Sequence, residues 1–317
     1  MIGLTEEIYG KYWKNRIQDA KNIVATSEKH LRLQSELIKS PPRISEIEYN
    51  GYPIGILRLD ELHPEISGNK WFKLKYNLAQ AQAEEKNAIL TFGGAYSNHI
   101  AATAASCKLA GFKSIGIIRG EKTASNNPTL SAAQQNGMQL LFVDREQYRR
   151  KTETQYLQAL QQQFPEAYIV PEGGDNELGQ KGCEEILSPE TRDYTSAYCA
   201  FGTGATFKGI AKSLLPHQKL TAINVLKFDA VSDFKNATIN NNYHFGGYAK
   251  HTQELLDFKS WFEITYKISL DYVYNSKLFF AVFDLINQQK INKNEKLLII
   301  HCGGLQGNKG YAERNKL

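Results

Sequence analysis

This sequence has no apolar run near the roughly 18 residues a membrane helix needs; stretches such as Leu-Leu-Ile-Ile at 297–300 are far shorter. Cysteine is sparse. Cys107, Cys183, Cys199 and Cys302 stand far apart, without a Cys-x-x-Cys pair or Cys/His metal spacing. That excludes a zinc motif and a disulfide scaffold, so no metal is expected, and a reducing cytoplasm fits best. No contiguous apolar stretch of signal-peptide type opens the chain. A basic block is missing as well: the net charge of +5 is spread along the chain, with seven Lys/Arg against five Asp/Glu in residues 1–40. Nucleic-acid binding needs clustered cations, so that class is excluded, while small anionic ligands are not. Repeats and low-complexity tracts are absent.

What is there is ordinary globular composition, 42% hydrophobic and 22% charged, in 317 residues, enough for about two domains. Ile8, Tyr12, Ile17, Ala20 and Val24 recur at helical spacing, so residues 1–40 read as a helical extension. Ser40-Pro41-Pro42 ends it. Beyond it, β-like runs at 54–59, 88–92, 114–119, 139–143, 167–170, 197–201, 220–226 and 297–301 alternate with helix-length stretches. Those stretches are 71–84, 97–110, 128–136, 152–163, 176–187 and 204–214. Such alternation predicts right-handed βαβ units and an α/β architecture of mainly parallel sheet. Ligands then sit beyond the carboxyl ends of the strands, where loops enter helices.

Four segments carry chemistry there. In Gly68-Asn69-Lys70 a turn delivers a lysine to a helix start. Alone, Lys70 reads as a surface lysine; fixed on a rigid turn, it is a Schiff-base former. In FGGAYSNH, Gly93 and Gly94 allow close approach, and Ser97, Asn98 and His99 open a helix. Ser97 is either the helix cap or part of a carboxylate site. Gly202-Thr203-Gly204-Ala205-Thr206 offers backbone N–H groups and hydroxyls at a helix N-terminus, a phosphate cradle. It lacks the Lys-Ser/Thr ending of a Walker loop, and Phe207 replaces the last glycine of a dinucleotide fingerprint. Finally, His301-Cys302-Gly303-Gly304 ends the last strand at the same crevice. A phosphorylated aldehyde would satisfy all four segments.

Taken together, SGNKWFKLKYNL, FGGAYSNH, VPEGGDNELGQKGCEEI, FGTGAT, FGGYAK, VYNSK and HCGG, in that order over about residues 41–317, resemble the 1-aminocyclopropane-1-carboxylate deaminase/D-cysteine desulfhydrase family. The resemblance implies the two-lobed fold of pyridoxal phosphate enzymes of the tryptophan synthase β-subunit type. Residues 76–170 would form a small lobe inserted into a large lobe of 41–75 and 171–317. It implies pyridoxal 5'-phosphate as cofactor, a small amino acid as substrate and a homodimer. Lys70 would bind the cofactor covalently, Asn98 its phenolic oxygen, Gly202, Thr203, Gly204, Ala205 and Thr206 its phosphate. Ser97, with Asn98 and His99, would hold the substrate carboxylate, and Tyr248 and Tyr274 match the two active-site tyrosines. Cys302 stands where a residue faces the pyridine nitrogen.

Two positions bear on the reaction that the resemblance implies. Deaminases of the family carry a glutamate directly after the second tyrosine and an apolar residue in the H-x-G-G strand end, desulfhydrases a small hydroxyl residue at both places; here the positions hold Asn275 and Cys302. An amide cannot ionise, so the pyridine nitrogen gains no carboxylate partner there, which leaves a weaker electron sink. That favours expelling hydrosulfide from D-cysteine over opening a cyclopropane ring. A cofactor-binding protein without catalysis is the remaining alternative.

Overall fold

The computed structural model describes residues 42–66, 68–121 and 127–317, so the helix expected over 1–40 lies outside the described residues. In chain order the strands are β1 (Ile44–Tyr49), β2 (Tyr52–Arg58), β3 (Ala88–Gly94), β4 (Lys113–Arg119), β5 (Met138–Val143), β6 (Ala167–Val170), β7 (Ser196–Phe201), β8 (Lys219–Asn224), β9 (Ala237–Asn240) and β10 (Leu297–His301). The α-helices are α1 (Lys70–Ala83), α2 (Asn98–Ala110), α3 (Pro128–Gln135), α4 (Arg145–Arg149), α5 (Thr154–Gln163), α6 (Glu177–Cys183), α7 (Ala205–Ser213), α8 (Gln253–Tyr266), α9 (Asn275–Asn287) and α10 (Asn308–Asn315).

Two sheets result. One has six strands in the order β1-β2-β10-β7-β8-β9, parallel except for the β1–β2 hairpin. The other has four parallel strands in the order β5-β4-β3-β6. All eight expected strands are present, and the α/β architecture with them.

Every residue of β7 and β10 is buried, as expected for parallel strands covered on both faces. Alternation divides β10 between two cores. Leu297 and Ile299 join Ile54, Phe279, Val282 and Phe283 under α9. Leu298 and Ile300 join Leu57, Phe72, Phe207 and Ile210 under α1 and α7. In the second sheet Ile89 packs with Trp71, Leu74 and Ala102, whereas Leu90 and Phe92 face Tyr148, Tyr156 and Leu160. Helix α1 thus touches cores of both sheets, and its first residue is Lys70.

The carboxyl ends of β2, β10, β7, β3 and β6 open towards this helix start, through the loops after Arg58, His301, Phe201, Gly94 and Val170. No helix among the described residues is long and apolar enough to cross a membrane.

Candidate active site

Lys70 is placed by a pinned turn. Gly68 donates its N–H to Leu59 O at 2.9 Å, and Asn69 donates its own to Cys302 O at 3.2 Å. The Asn69 amide then reaches two ways: its Oδ1 accepts from Lys70 Nζ at 2.5 Å, and its Nδ2 donates to Thr206 Oγ1 at 2.8 Å. One side chain therefore links the lysine to the glycine-rich loop. Burial, reinforced by the neighbouring Lys73, pushes the Lys70 amine down to about 8. An amine is a nucleophile only when neutral, so the rate at which Lys70 captures an added aldehyde should rise about tenfold per pH unit below 8 and level off above it. Borohydride trapping with peptide mass mapping reads that rate; a rise continuing to pH 10.5 would return the amine to an ordinary lysine value.

Gly202 to Thr206 form the loop that leads into α7. Gly204, with φ of 106°, caps α7 without any side-chain hydrogen bond. The first N–H groups of that helix are therefore free to meet an anion. A charge that sequence reasoning missed lies beside it. Lys73, one helical turn beyond Lys70, is buried, and among the described residues no acceptor meets its ammonium. By contrast, the buried Lys75 is paired with Glu185 at 2.5 Å. The i, i+3 spacing from Lys70 was the signal that could have found Lys73.

Ser97 is the N-cap of α2: its Oγ accepts from Ile100 N at 3.3 Å, leaving the hydroxyl proton for another partner. Asn98 projects its amide between Gly304 and Gly307. A Cβ at 304 would come within 2.9 Å of Nδ2, and one at 307 within 3.0 Å of Oδ1. That Oδ1 is buried and unpartnered among the described residues.

The His99 imidazole is 2% exposed and meets Thr91 of β3. Thr91 Oγ1 donates to Val170 O at 2.9 Å, so the same oxygen accepts from His99 Nε2 at 2.9 Å and Nδ1 carries no proton. Burial, with Lys70 and Lys73 nearby, pushes the ring down to about 3. The ring is therefore neutral, and the backbone N–H of His99 lies in the first turn of α2.

Asn275 is held by its own chain. Its Nδ2 donates to Asp271 Oδ1 at 2.5 Å and to Gly303 O at 2.6 Å, while its Oδ1 accepts from Cys302 N at 3.0 Å. The amide is spent on the backbone of the 302–303 turn and has nothing left for a ligand ring. Asp271, likewise unforeseen, accepts from the N–H groups of Val273, Tyr274 and Asn275 as well, capping the entry to α9. Cys302 is the group left at the end of β10. Burial pushes its thiol up to about 11, against the pull of Lys70 and Lys73, so it keeps its proton. Its Sγ donates to Ile300 O at 3.5 Å.

Tyr248 and Tyr274 meet edge to face, with ring centroids 6.3 Å apart. Tyr248 is 45% exposed, but its hydroxyl end is turned inward. Burial holds both phenols above their ordinary value, so both are donors. Tyr274 leans over the cradle, its Cε1 lying 3.1 Å from where a Cβ at Gly202 would be. The site thus gathers Lys70, the 202–206 loop, Ser97, Asn98, Tyr274, Tyr248 and Cys302, and turns away His99 and Asn275. Its donor set suits a phosphorylated aldehyde: an amine near neutrality, a helix start beside an unpaired cation, and an amide with an orphan oxygen.

Comparison with known proteins agrees with that chemistry. A family model described as "Pyridoxal-phosphate dependent enzyme" matches residues 50–303. A bifunctional D-cysteine desulfhydrase/1-aminocyclopropane-1-carboxylate deaminase of Arabidopsis thaliana, described as mitochondrial, is 30% identical over 81% of this chain and 74% of the relative. A D-cysteine desulfhydrase of Salmonella schwarzengrund is 27% identical over 85% of this chain and 93% of the relative. Among solved structures, a homologue of 1-aminocyclopropane-1-carboxylate deaminase superimposes with a TM-score of 0.76 at 22% identity, covering 92% of this chain and 98% of the other.

Proposed function

The chain belongs to the family of pyridoxal-phosphate-dependent enzymes, and from that premise we propose that it is a lyase of the D-cysteine desulfhydrase type. The net reaction is D-cysteine and water to pyruvate, ammonia and hydrogen sulfide. When bound, the cofactor supplies the electron sink that stabilises a carbanion at the substrate's α-carbon.

The chain's own residues do the rest. The N–H groups at the start of α7, with Lys73, hold the phosphate, and the Asn98 amide holds the phenolic oxygen. Ser97 Oγ–H and the free N–H groups of Asn98 and His99 bind the substrate carboxylate. Lys70, with its amine near 8, is tuned to take and return the α-proton at neutral pH. The neutral phenols of Tyr248 and Tyr274 can donate to the departing sulfur. In this reading residues 76–170 are the small lobe.

The observation that carries the choice of reaction is the environment of Cys302. Its thiol stays protonated, Asn275 is saturated, and both oxygens of Asp271 are taken. Among the described residues no free carboxylate is offered to a pyridine nitrogen at this end of the site. A weak sink suffices to expel a good leaving group but not to open a strained carbocycle.

The test is to incubate cofactor-loaded protein with D-cysteine and with 1-aminocyclopropane-1-carboxylate and quantify 2-oxo acid. Pyruvate from D-cysteine alone is expected. 2-Oxobutanoate from the cyclopropane would replace this reading with the deaminase one, and no product from either would leave cofactor binding without this chemistry.

A further inference from the structure

Lys277 has no part in the chemistry above, yet it is among the largest fully buried side chains of the described residues. It sits on α9 three residues after Tyr274, on the same helix face. Its ammonium donates to Gly247 O at 2.7 Å and His244 O at 2.8 Å, with Val225 O further off at 3.5 Å. These acceptors are backbone carbonyls; none is a carboxylate. Asp271 is the anion that supports the charge, through space, while burial pulls the amine down to about 8. Burying a cation in this way is costly unless every N–H is matched by an acceptor. Three donors for three carbonyls is such a match, and it resembles the way a cage of backbone oxygens takes a monovalent cation.

All three carbonyls belong to the stretch between β8 and α8, and the last precedes Tyr248 directly. That stretch is held in an unfavourable shape. Phe245, Gly246, Gly247 and Ala249 have φ of 50°, 88°, 109° and 53°, a left-handed conformation that the two non-glycine residues adopt only where the surroundings hold them in it. The turn's own hydrogen bonds, Gly247 N to His244 O at 2.9 Å and Lys250 N to Gly247 O at 3.2 Å, use one lone pair of each carbonyl. Lys277 takes the other. The same lysine is tied covalently, through one turn of α9, to the tyrosine that the Tyr248 ring faces.

We propose that Lys277 is a positioning residue: its ammonium, acting as a built-in cation in a carbonyl cage, fixes the 244–247 turn so that Tyr248 lies against Tyr274. The catalytic consequence rests on the reading of the two tyrosines given above; the structural core of the proposal does not. Lys277 touches neither tyrosine's hydroxyl and acts only through where the turn stands.

The test separates these two layers. Lys277→Met and Lys277→Gln are compared with the unaltered chain by hydrogen exchange in the protein without cofactor. Amides of 245–250 should exchange at least tenfold faster in Lys277→Met, with β3 and β10 unchanged. Lys277→Gln, which keeps one donor, should fall between, and serves as the comparison if the methionine variant does not accumulate folded. Unchanged exchange in the turn of a folded variant would overturn the proposal whatever the substrate proves to be. In turnover, Lys277→Met should lower kcat/KM about tenfold or more in the native background and less than twofold when Tyr248→Phe is already present, while borohydride trapping at Lys70 stays as it was. Additive losses in the double variant would also overturn it, since a residue acting through Tyr248 cannot add to that tyrosine's loss.

Discussion

Lys70→Ala is expected to lower turnover by about 10³-fold or more and to abolish covalent trapping of cofactor by borohydride. The size follows from two tasks resting on one amine. In the proposed reading it is both the nucleophile that fixes the cofactor and the base that serves the substrate's α-carbon. Neither task passes easily to a neighbour. Lys73 is buried and, in the proposed reading, neutralises the phosphate; Lys75 is engaged with Glu185. Lys73 also keeps the Lys70 amine low, so it works as a tuning charge rather than a substitute. Peptide mapping of the reduced protein is the measurement. Trapping that persists undiminished in Lys70→Ala, or maps to another lysine in the unaltered chain, would remove Lys70 from the mechanism.

Gly68→Ala should be nearly as damaging, for a steric reason. A Cβ at 68 would stand 1.8 Å from Cys302 O and 2.4 Å from Cys302 C, and the backbone there has φ of 72°. The clash is with main chain, so no rotamer relieves it; either the Lys70 turn or the end of β10 must move. Overpacking and the left-handed penalty together suggest a loss of about 3 kcal/mol or more. Gly51 supplies the control. Its φ of 77° is equally left-handed, but a Cβ there meets nothing within 4 Å, so Gly51→Ala should lose only about 1 kcal/mol. Urea unfolding of both variants, with cofactor capture measured alongside, isolates the clash. Equal stabilities would show that the close approach of Gly68 to Cys302 is not a constraint.

Much of this architecture was legible because the central strands announce themselves. Runs such as AYCAF and LLIIH are apolar throughout since both faces of β7 and β10 are covered. Strand β1 was missed although Asn50-Gly51 is a strong hairpin signal; its own residues, ISEIEY, are only half buried at the sheet edge and carry two glutamates. Four-residue β9 is a shorter edge still. At the site, the glycine-rich loop before α7 and the turn before Lys70 could be read directly. What could not be read was direction. Nothing in the chain order tells that His99 turns under its helix to meet Thr91, or that Asn275 spends its amide on Cys302 and Gly303. Both choices are set by backbone groups brought there from distant segments. Lys73 and Lys277 escaped notice for a related reason: composition counts a lysine as surface, and only packing makes one internal.

The pairing of β2 with β10 has a temporal consequence. Lys70 follows the second strand closely, but the wall it faces, Cys302 and the glycines after it, follows the last one. On a ribosome the reactive amine emerges long before that wall exists. The β3-to-β6 segment is contiguous in sequence and can fold as it appears, whereas the larger sheet must wait for its central strand to be translated. In the proposed reading cofactor capture would then follow completion of the larger sheet, and a truncated nascent chain would expose Lys70 without the wall it faces.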